Sequence, residues 1–193
     1  IYNYFFLEYK FLKKFGIKSF PSDRTILIEN VVSENEQNIV FHTLYGRRVN
    51  DALSRAFAYQ LMKKVGKGIG VAINDNGFVL IIPSSREYVE PKKVIKLVKS
   101  HRLEEILRKA LLNTELIKRK FRHSAARALM ILRNYKGYEI SVEKQQMNAE
   151  RLIRVVKKIE GFPVLEETFR EILEDFMDIE TVSYTHMTQP TKA

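Results

Sequence analysis

Cysteine is absent from this 193-residue sequence, and no apolar run approaches the roughly 20 residues that a membrane-spanning helix needs. Without cysteine the chain forms no disulfide and offers no thiolate as a nucleophile or metal ligand. The aromatic and basic start, YNYFFLEYKFLKKF, lacks the apolar core and small-residue cleavage site of a signal peptide. Hydrophobic residues make up 45% of the chain and charged residues 29%, which is typical of a globular protein. We therefore expect a cytoplasmic protein with no membrane partner.

The motifs of local catalytic chemistry are missing as well. The four histidines (42, 101, 123 and 186) form no HxxxH or HExxH pair, which argues against a metal site. GKGIG (66–70) lacks the GxxxxGK[ST] spacing of a phosphate-binding loop, and a predicted strand follows it where that loop needs a helix. No GxSxG motif or carboxylate pair stands out. The sequence predicts that this chain by itself binds no cofactor and is not catalytic.

Positive charge is in excess and unevenly distributed. The chain has 33 Lys and Arg against 23 Asp and Glu, a formal net charge of +10. Such a surplus favours an anionic partner, nucleic acid before acidic lipid or acidic protein. Residues 113–160 hold 12 Lys and Arg against 5 acids, whereas residues 163–180 hold one Arg and 7 acids. The location of the charge is therefore more informative than its total.

Two predicted hairpins lie in the first half of the chain. TILIENVV (25–32) and NIVFHTL (38–44) are enriched in β-branched residues and can pair with each other. IGVAIN, the tip DNG and FVLIIP (69–83) predict a second hairpin, because Asn, Asp and Gly favour tight turns between strands.

The remaining predicted elements are helices, separated by glycine, proline or capping residues. Asn50 or Asp51 can cap the helix between the hairpins, and Asn113 or Thr114 and Ser141 can cap later ones. The predicted helices span 2–15, 50–66, 91–99, 101–112, 114–135, 141–160 and 163–178. Strands come first and helices after, so we expect an α+β fold: an antiparallel sheet of about four strands packed with several helices, and an all-helical C-terminal half.

We expect a single domain over 1–180 and a non-native tail over 181–193. The tail, TVSYTHMTQPTKA, continues none of the preceding patterns and resembles the translation of a sequencing-library adapter. The native sequence is therefore expected to end near Ile179. A start at Ile1, without an initiator methionine, indicates a fragment of a longer protein.

The helix predicted over 114–135 is strongly basic. At 100° per residue its apolar side chains form one stripe, made of Ile117, Phe121, Ala125, Ala128 and Leu132. The candidate phosphate contacts around it are Lys118, Arg119, Arg122, His123, Arg127 and Arg133, with Lys120 beside them. One interpretation is a surface that tracks phosphates while the acidic helix 163–178 is turned away. The alternative is a solvated face that pairs in part with the acidic helix.

Arg47 and Arg48, in the segment YGRRVND, form a second candidate contact. A tight turn before a helix N-terminus presents free backbone N–H groups, which favour an anion, and two arginines beside them can clamp a phosphate. An ordinary exposed turn, with one arginine paired to Asp51, is the alternative.

Residues beyond the basic helix supply further candidates. Gln145, Gln146 and Arg151 lie near the start of the next predicted helix, and glutamines can hydrogen-bond base edges or sugars. These three residues are equally compatible with an exposed surface that has no binding role. Tyr135 and Tyr138 can stack on unpaired bases or can be ordinary core or surface tyrosines.

Six segments, in order along 21–179, resemble archaeal members of the Lhr (large helicase-related) family. They are PSDRTILIE, HTLYGRRVNDALSRAFA, DNGFVLIIP, ELIKRKFRHSAARALMILRNYKG, the QQ of EKQQ, and FPVLEETFREILEDFMD. FRHSAARALMILR and the last segment are the most specific. Within the family pattern, the GRR and FRH…R matches are where strand contacts are expected.

This resemblance implies a superfamily 2 helicase that hydrolyses ATP, moves 3′→5′ on single-stranded DNA and unwinds duplexes, including RNA–DNA hybrids. The chain resembles the fourth domain of such enzymes, which helps to hold the tracking strand and separate the duplex. ATP and Mg would bind in the motor domains of the parent protein, since the motor motifs are absent here. The expected partners are single-stranded or forked DNA, RNA–DNA hybrid, and the winged-helix and RecA-like domains of the same parent chain. A stand-alone nucleic-acid-binding or protein-docking module without a motor is the alternative.

Overall fold

A computed structural model describes residues 2–14, 16, 21–22, 25–83 and 88–182, which divide into two compact units. Residues up to Leu103, with Thr181 and Val182, belong to the first unit, and Glu104–Glu180 form the second. Most of the predicted loop KSFPSD and the tail from residue 183 onwards lie outside the described residues. One domain over 1–180 followed by a non-native tail stays a prediction.

The first unit is built on a four-stranded antiparallel sheet. Its elements are α1 (Tyr2–Lys14), β1 (Leu27–Val32), β2 (Glu36–His42), α2 (Gly46–Val65), β3 (Gly70–Asn74), β4 (Gly77–Pro83) and α3 (Pro91–Ile95), followed by a short 3₁₀ turn at Ser100–Arg102. The strand order is β1-β2-β4-β3. Both predicted hairpins are confirmed, and β2 pairs with β4 to join them. The predicted α+β class and strand number are therefore confirmed.

Helix α2 packs on β3 and β4 through an aromatic cluster. The ring of Phe41 stacks on that of Phe78, with centroids 4.5 Å apart, and on that of Phe57 from α2, with centroids 5.4 Å apart. All three rings are buried. Burying a side chain of this size contributes roughly 1.5–3 kcal/mol, so the cluster fixes the helix against the sheet.

The start of α2 differs from the prediction. The helix begins at Gly46, so Asn50 and Asp51 lie inside it and the prediction that either residue caps it is wrong. Asn50 is fully buried; it accepts a hydrogen bond from the Thr43 hydroxyl (2.5 Å) and donates one to the carbonyl of Asn74 (3.1 Å). Its side chain ties the helix to the β3–β4 turn, a long-range role that a local capping pattern does not reveal.

Gly77, at the predicted DNG tip, is required by a close approach of two strands. A Cβ atom at this position would lie 2.1 Å from the carbonyl oxygen of Phe41 on β2. The turn itself is made by Asp75 and Asn76, and Gly77 is the first residue of β4. The glycine therefore serves sheet pairing, because a side chain would collide with the neighbouring backbone.

The second unit consists mainly of helices. Its elements are α4 (Leu103–Leu111, within the unit from Glu104), α5 (Glu115–Arg127), β5 (Asn134–Tyr135), β6 (Tyr138–Glu139), α6 (Val142–Val156) and α7 (Pro163–Arg170), which a π-helical segment, Glu171–Phe176, continues. Thr114 and Ser141 cap α5 and α6, as predicted. Helix α5 packs against both α6 and α7. No described helix of either unit is long and apolar enough to cross a membrane.

The predicted helix 114–135 is too long, since α5 ends at Arg127. Leu129 has a positive φ of 58°, and the amides of Met130 and Ile131 both donate to the carbonyl of Ala125 (2.8 and 3.2 Å). This reversal buries Ile131 and leaves Leu132 half exposed. Ala128 and Leu132 therefore do not belong to the buried stripe, whereas Ile117, Phe121 and Ala125 do.

Candidate nucleic-acid interface

The outward face of α5 carries three candidate contacts at helical spacing. Arg119, Arg122 and His123 lie at i, i+3 and i+4 and so share one side of the helix. Arg119 is exposed and makes no ion pair with any carboxylate in the described part of the chain. Arg122 contacts the Nε2 atom of His123 (3.2 Å), which leaves most of its guanidinium donors available. This face presents positive charge that the unit itself does not neutralise.

The positive charge of Lys118 is balanced by neighbouring carboxylates. Its ammonium lies 2.6 Å from a carboxylate oxygen of Glu115 and 3.8 Å from one of Glu150 on α6. The hydrogen bond to Glu115 raises the pKa of Lys118 above its ordinary value. Arg154 of α6 adds a second positive charge nearby. Arg154 is a basic residue that the sequence analysis did not select, although it lies one turn after Arg151.

Arg127, at the end of α5, forms an ion pair with Glu171 in the segment that follows α7, and also contacts the hydroxyl of Ser124 (3.3 Å). The expectation that the acidic helix is turned away from the basic helix is therefore wrong at this position, and the alternative of partial pairing is correct there. Most of the Arg127 side chain is still exposed. We infer that Arg127 mainly fixes the end of α5 through its pairing with Glu171. Its positive charge is therefore less available to a ligand than that of an unpaired arginine.

Several carboxylates of the acidic helix also have partners inside the unit. Arg170 pairs with Glu167 (2.7 Å) and Glu174 (3.2 Å), and Arg108 of α4 pairs with Glu166 (2.8 Å). The hydrogen bond from Arg170 lowers the pKa of Glu167 and raises that of Arg170. This helix therefore offers less free negative charge than its composition indicates.

Arg133 is exposed in the loop that follows α5. The pKa of His123 is held below its ordinary value, first by partial burial and then by the positive charges of Arg122, Arg133, Lys120 and Arg127. Arg133, in the loop after α5, is thus close enough to His123 to act on it electrostatically. We call Arg119, Arg122, His123 and Arg133 the basic face. A bound phosphate would relieve the repulsion among these groups.

The candidates on α6 have different surroundings. Gln145 is half-buried and donates its side-chain amide to the carbonyl of Ile140 (2.7 Å), so part of its hydrogen-bonding capacity serves the fold. Gln146 is half-buried, and its side chain makes no hydrogen bond to the part of the chain that the structure describes. Arg151 is exposed, contacts the sulfur of Met147 (3.7 Å), and lines an open groove of about 500 Å³. The other lining residues are Met130, Ile131, Leu132, Ile140, Asn148, Leu152 and Val155.

Arg47 and Arg48 belong to the first unit. Both are exposed in the first turn of α2, and no side chain caps this N-terminus. Their helical position differs from the predicted turn, yet the free N–H groups of the first helical turn remain suited to an anion. Asp51, considered as a partner for one of them, hydrogen-bonds Arg55 (2.8 Å).

The β5–β6 hairpin is the feature that the sequence analysis missed. It brings Tyr135 and Tyr138 opposite each other, 57% and 80% exposed. The signal was the string YKGY, in which a residue followed by glycine separates two aromatics. Among the described residues, no group of three or more histidine or acidic side chains is arranged to hold a metal ion; His186 lies outside them.

Comparison with known proteins identifies the family to which this chain is similar. A family model described as DEAD/H associated matches residues 20–187. The chain is 48% identical over 181 residues to the ATP-dependent helicase Lhr-Core of Sulfolobus acidocaldarius, covering 93% of this chain and 20% of that protein. It is 50% identical over 160 residues to the ATP-dependent helicase Lhr-Core protein 2 of Thermococcus barophilus, covering 82% and 18%.

A solved structure shares the same architecture. The Mycobacterium smegmatis helicase Lhr, bound to single-stranded DNA and AMP-PNP, superposes with a TM-score of 0.73 at 25% identity. The match covers 87% of this chain and 21% of that one. The chain thus spans about a fifth of the length of each of these three chains.

Proposed function

This chain belongs to the DEAD/H associated family and is similar to part of the Lhr-type ATP-dependent helicases, and on that premise we propose that it is the accessory domain that grips the tracking strand as the helicase moves 3′→5′. The observation that carries the proposal is the basic face, because its positive charge has no carboxylate partner within the described part of the unit. The solved relative bound to single-stranded DNA supports the choice of ligand.

In this proposal the domain recognises the nucleic acid through its phosphates. Guanidinium groups pair with phosphate oxygens in two places at once, and such contacts fix the position of a strand without reading its sequence. Arg47, Arg48, Gln145, Gln146 and Arg151 remain candidate contacts in addition to those of the basic face. The ligand would be single-stranded or forked DNA, or an RNA–DNA hybrid.

The remainder of a longer parent protein would supply the motor. ATP and Mg would bind in RecA-like domains, and these domains, with a winged helix, would be the intramolecular partners of this chain in the cytoplasm. The chain would have no catalytic residue of its own. Its contribution would be to hold the strand while the motor advances and so to help separate the duplex.

A salt titration tests the proposal. The chain is mixed with fluorescein-labelled oligo(dT), and anisotropy gives the association constant from 50 to 300 mM NaCl. Each phosphate contact to a single strand contributes a slope of about −0.7 in log K against log salt, so the three arginines of the basic face predict a slope of about −2 at neutral pH. Heteropolymers of the same length should bind with similar affinity. Absence of binding at the lowest salt would refute the proposal.

His123 predicts a pH dependence of that binding. The pKa of His123 is held below its ordinary value of 6.5 in the free chain, so the imidazole is mostly neutral at pH 7 and gains its proton as the pH falls further. A phosphate at the basic face favours the protonated form, and by linkage the affinity should rise as the pH falls from 7.5 to 5.5. We expect a gain of up to about eightfold at 50 mM salt, because a protonated His123 adds at most one phosphate contact.

The variant His123→Gln should lose this gain and keep the affinity seen at pH 7.5. The same anisotropy assay measures both proteins, and because they differ only at position 123, the difference isolates His123. An equal pH response in the two proteins would exclude His123 from the bound surface.

A further inference from the structure

The β5–β6 hairpin exposes two aromatic rings side by side. Tyr135 and Tyr138 are direct cross-strand partners, which places their Cβ atoms within about 5.5 Å of each other on one face. With 57% and 80% of their surfaces exposed, neither ring is part of the core. Side chains of this size normally gain their stabilisation by burial, so a pair left in solvent points to a ligand for the rings.

The hairpin is held in a fixed conformation. Lys136 and Gly137 have φ values of 51° and 82°, the positive pair that a two-residue type I′ turn requires. The amide of Ile140 donates to the carbonyl of Arg133 (2.8 Å) and closes the base of the hairpin. Gln145 of α6 then donates to the carbonyl of Ile140 (2.7 Å). The two rings are therefore presented on a short element anchored to α6.

The charges around the rings are asymmetric. The ammonium of Lys136 lies 5.5 Å from the centre of the Tyr135 ring. Glu139 pairs with Asn134 across the hairpin, and because side chains alternate along a strand, this carboxylate lies on the face opposite the tyrosines. The ring face therefore has a cation beside it, and the hairpin's own carboxylate points away from it. An aromatic surface flanked by a cation suits a nucleobase with its phosphate.

Arg133 connects the hairpin to the basic face. It immediately precedes β5, and its charge contributes to lowering the pKa of His123. A strand whose phosphates lie on Arg119, Arg122 and Arg133 would reach the hairpin directly after the last of these residues.

We propose that Tyr135 and Tyr138 form a stacking platform for unpaired bases of the strand whose phosphates the basic face holds. The inference rests on the proposed function and adds to it a contact with the bases. Stacking tolerates any base, since every base has an aromatic face, so the platform grips a single strand without sequence preference. Paired bases are already stacked within a duplex and cannot occupy it.

The double variant Tyr135→Ala/Tyr138→Ala tests the platform. We expect its affinity for oligo(dT) to fall by about tenfold to a hundredfold, because one or two base stacks are lost and each is worth on the order of tenfold. The salt slope should not change, since no charge is removed. Wild-type chain should bind an abasic strand of equal length as weakly as the double variant binds oligo(dT). The matched control is Tyr88→Ala, another exposed tyrosine (62%), which should bind as wild type does.

A fluorescent variant tests the same contact without removing it. The sequence has no tryptophan, so Tyr138→Trp introduces the only indole of the chain. Oligo(dT) should quench this indole by stacking, and an abasic strand bound to the same extent should not. This measurement decides the question even if the double alanine variant is poorly folded.

The outcomes separate the two proposals. If the wild-type chain binds no nucleic acid, the proposed function fails and the platform with it. If the chain binds with the expected salt slope while the double variant binds equally well and the indole is not quenched, the platform is refuted and the proposed function stands. In that case the exposed tyrosines are free to contact another protein surface.

Discussion

Reversing the charge of Arg119 and Arg122 together, in Arg119→Glu/Arg122→Glu, is expected to weaken binding to single-stranded DNA by roughly 100-fold at 50 mM salt. Loss of two phosphate contacts lowers the salt slope by about 1.4, and at this salt concentration each contact is worth nearly tenfold. The two new carboxylates then repel the strand. Arg119 is exposed and Arg122 is half-exposed, and neither belongs to the buried residues of α5, so the fold should be retained.

A control with the same change in net charge distinguishes a local contact from general attraction. Lys63→Glu/Lys64→Glu alters the formal charge of +10 by the same four units, at two exposed positions in the last turn of α2. Anisotropy titrations of the two variants should differ by at least tenfold in affinity. Equal weakening would mean that the strand responds to the overall charge, and α5 would then not be the binding surface.

Phe121→Ala is expected to lower the free energy of unfolding of the second unit by about 3–5 kcal/mol. The ring is fully buried on the side of α5 that faces the core, and its removal costs both the transfer free energy and the cavity that remains. A loss of this size is a large fraction of the stability of a small domain. Since the basic face is carried by the same helix, the variant should also lose affinity for the strand.

Urea unfolding followed by circular dichroism measures the change, and hydrogen exchange of the α5 amides assigns the transition to the second unit. Leu129→Ala serves as the control because that side chain is 81% exposed. It should change the free energy of unfolding by no more than about 0.5 kcal/mol. A loss below 1 kcal/mol for Phe121→Ala would show that α5 does not have the packing described.

The sheet and most helices could be predicted because their signals are local. Runs of β-branched residues around a turn define the hairpins that became β1–β2 and β3–β4, and hydroxyl side chains at Thr114 and Ser141 accept hydrogen bonds from the first turns of α5 and α6. These preferences act over a few residues and do not depend on what the chain meets elsewhere.

The basic face was predicted only in part. Helical periodicity is enough to place Arg119, Arg122 and His123 on one side of α5. It does not show that Glu150 lies near Lys118 or that Glu171 pairs with Arg127, since those acids come from α6 and from the segment after α7. Which cationic side chains remain unpaired depends on how the helices pack, and this packing cannot be predicted from the sequence pattern within α5.

The sequence by itself determined the α+β class, the caps of α5 and α6 and the concentration of positive charge in one helix. Tertiary structure alone decided that α5 stops at Arg127, that Ile131 and not Leu132 enters the core, and that Asn50 fastens a turn instead of capping a helix. Each of these outcomes depends on burying a particular side chain against residues distant in sequence. Periodicity predicts that an element has a buried face, whereas the identity of the residues on that face is decided by the elements that pack against it.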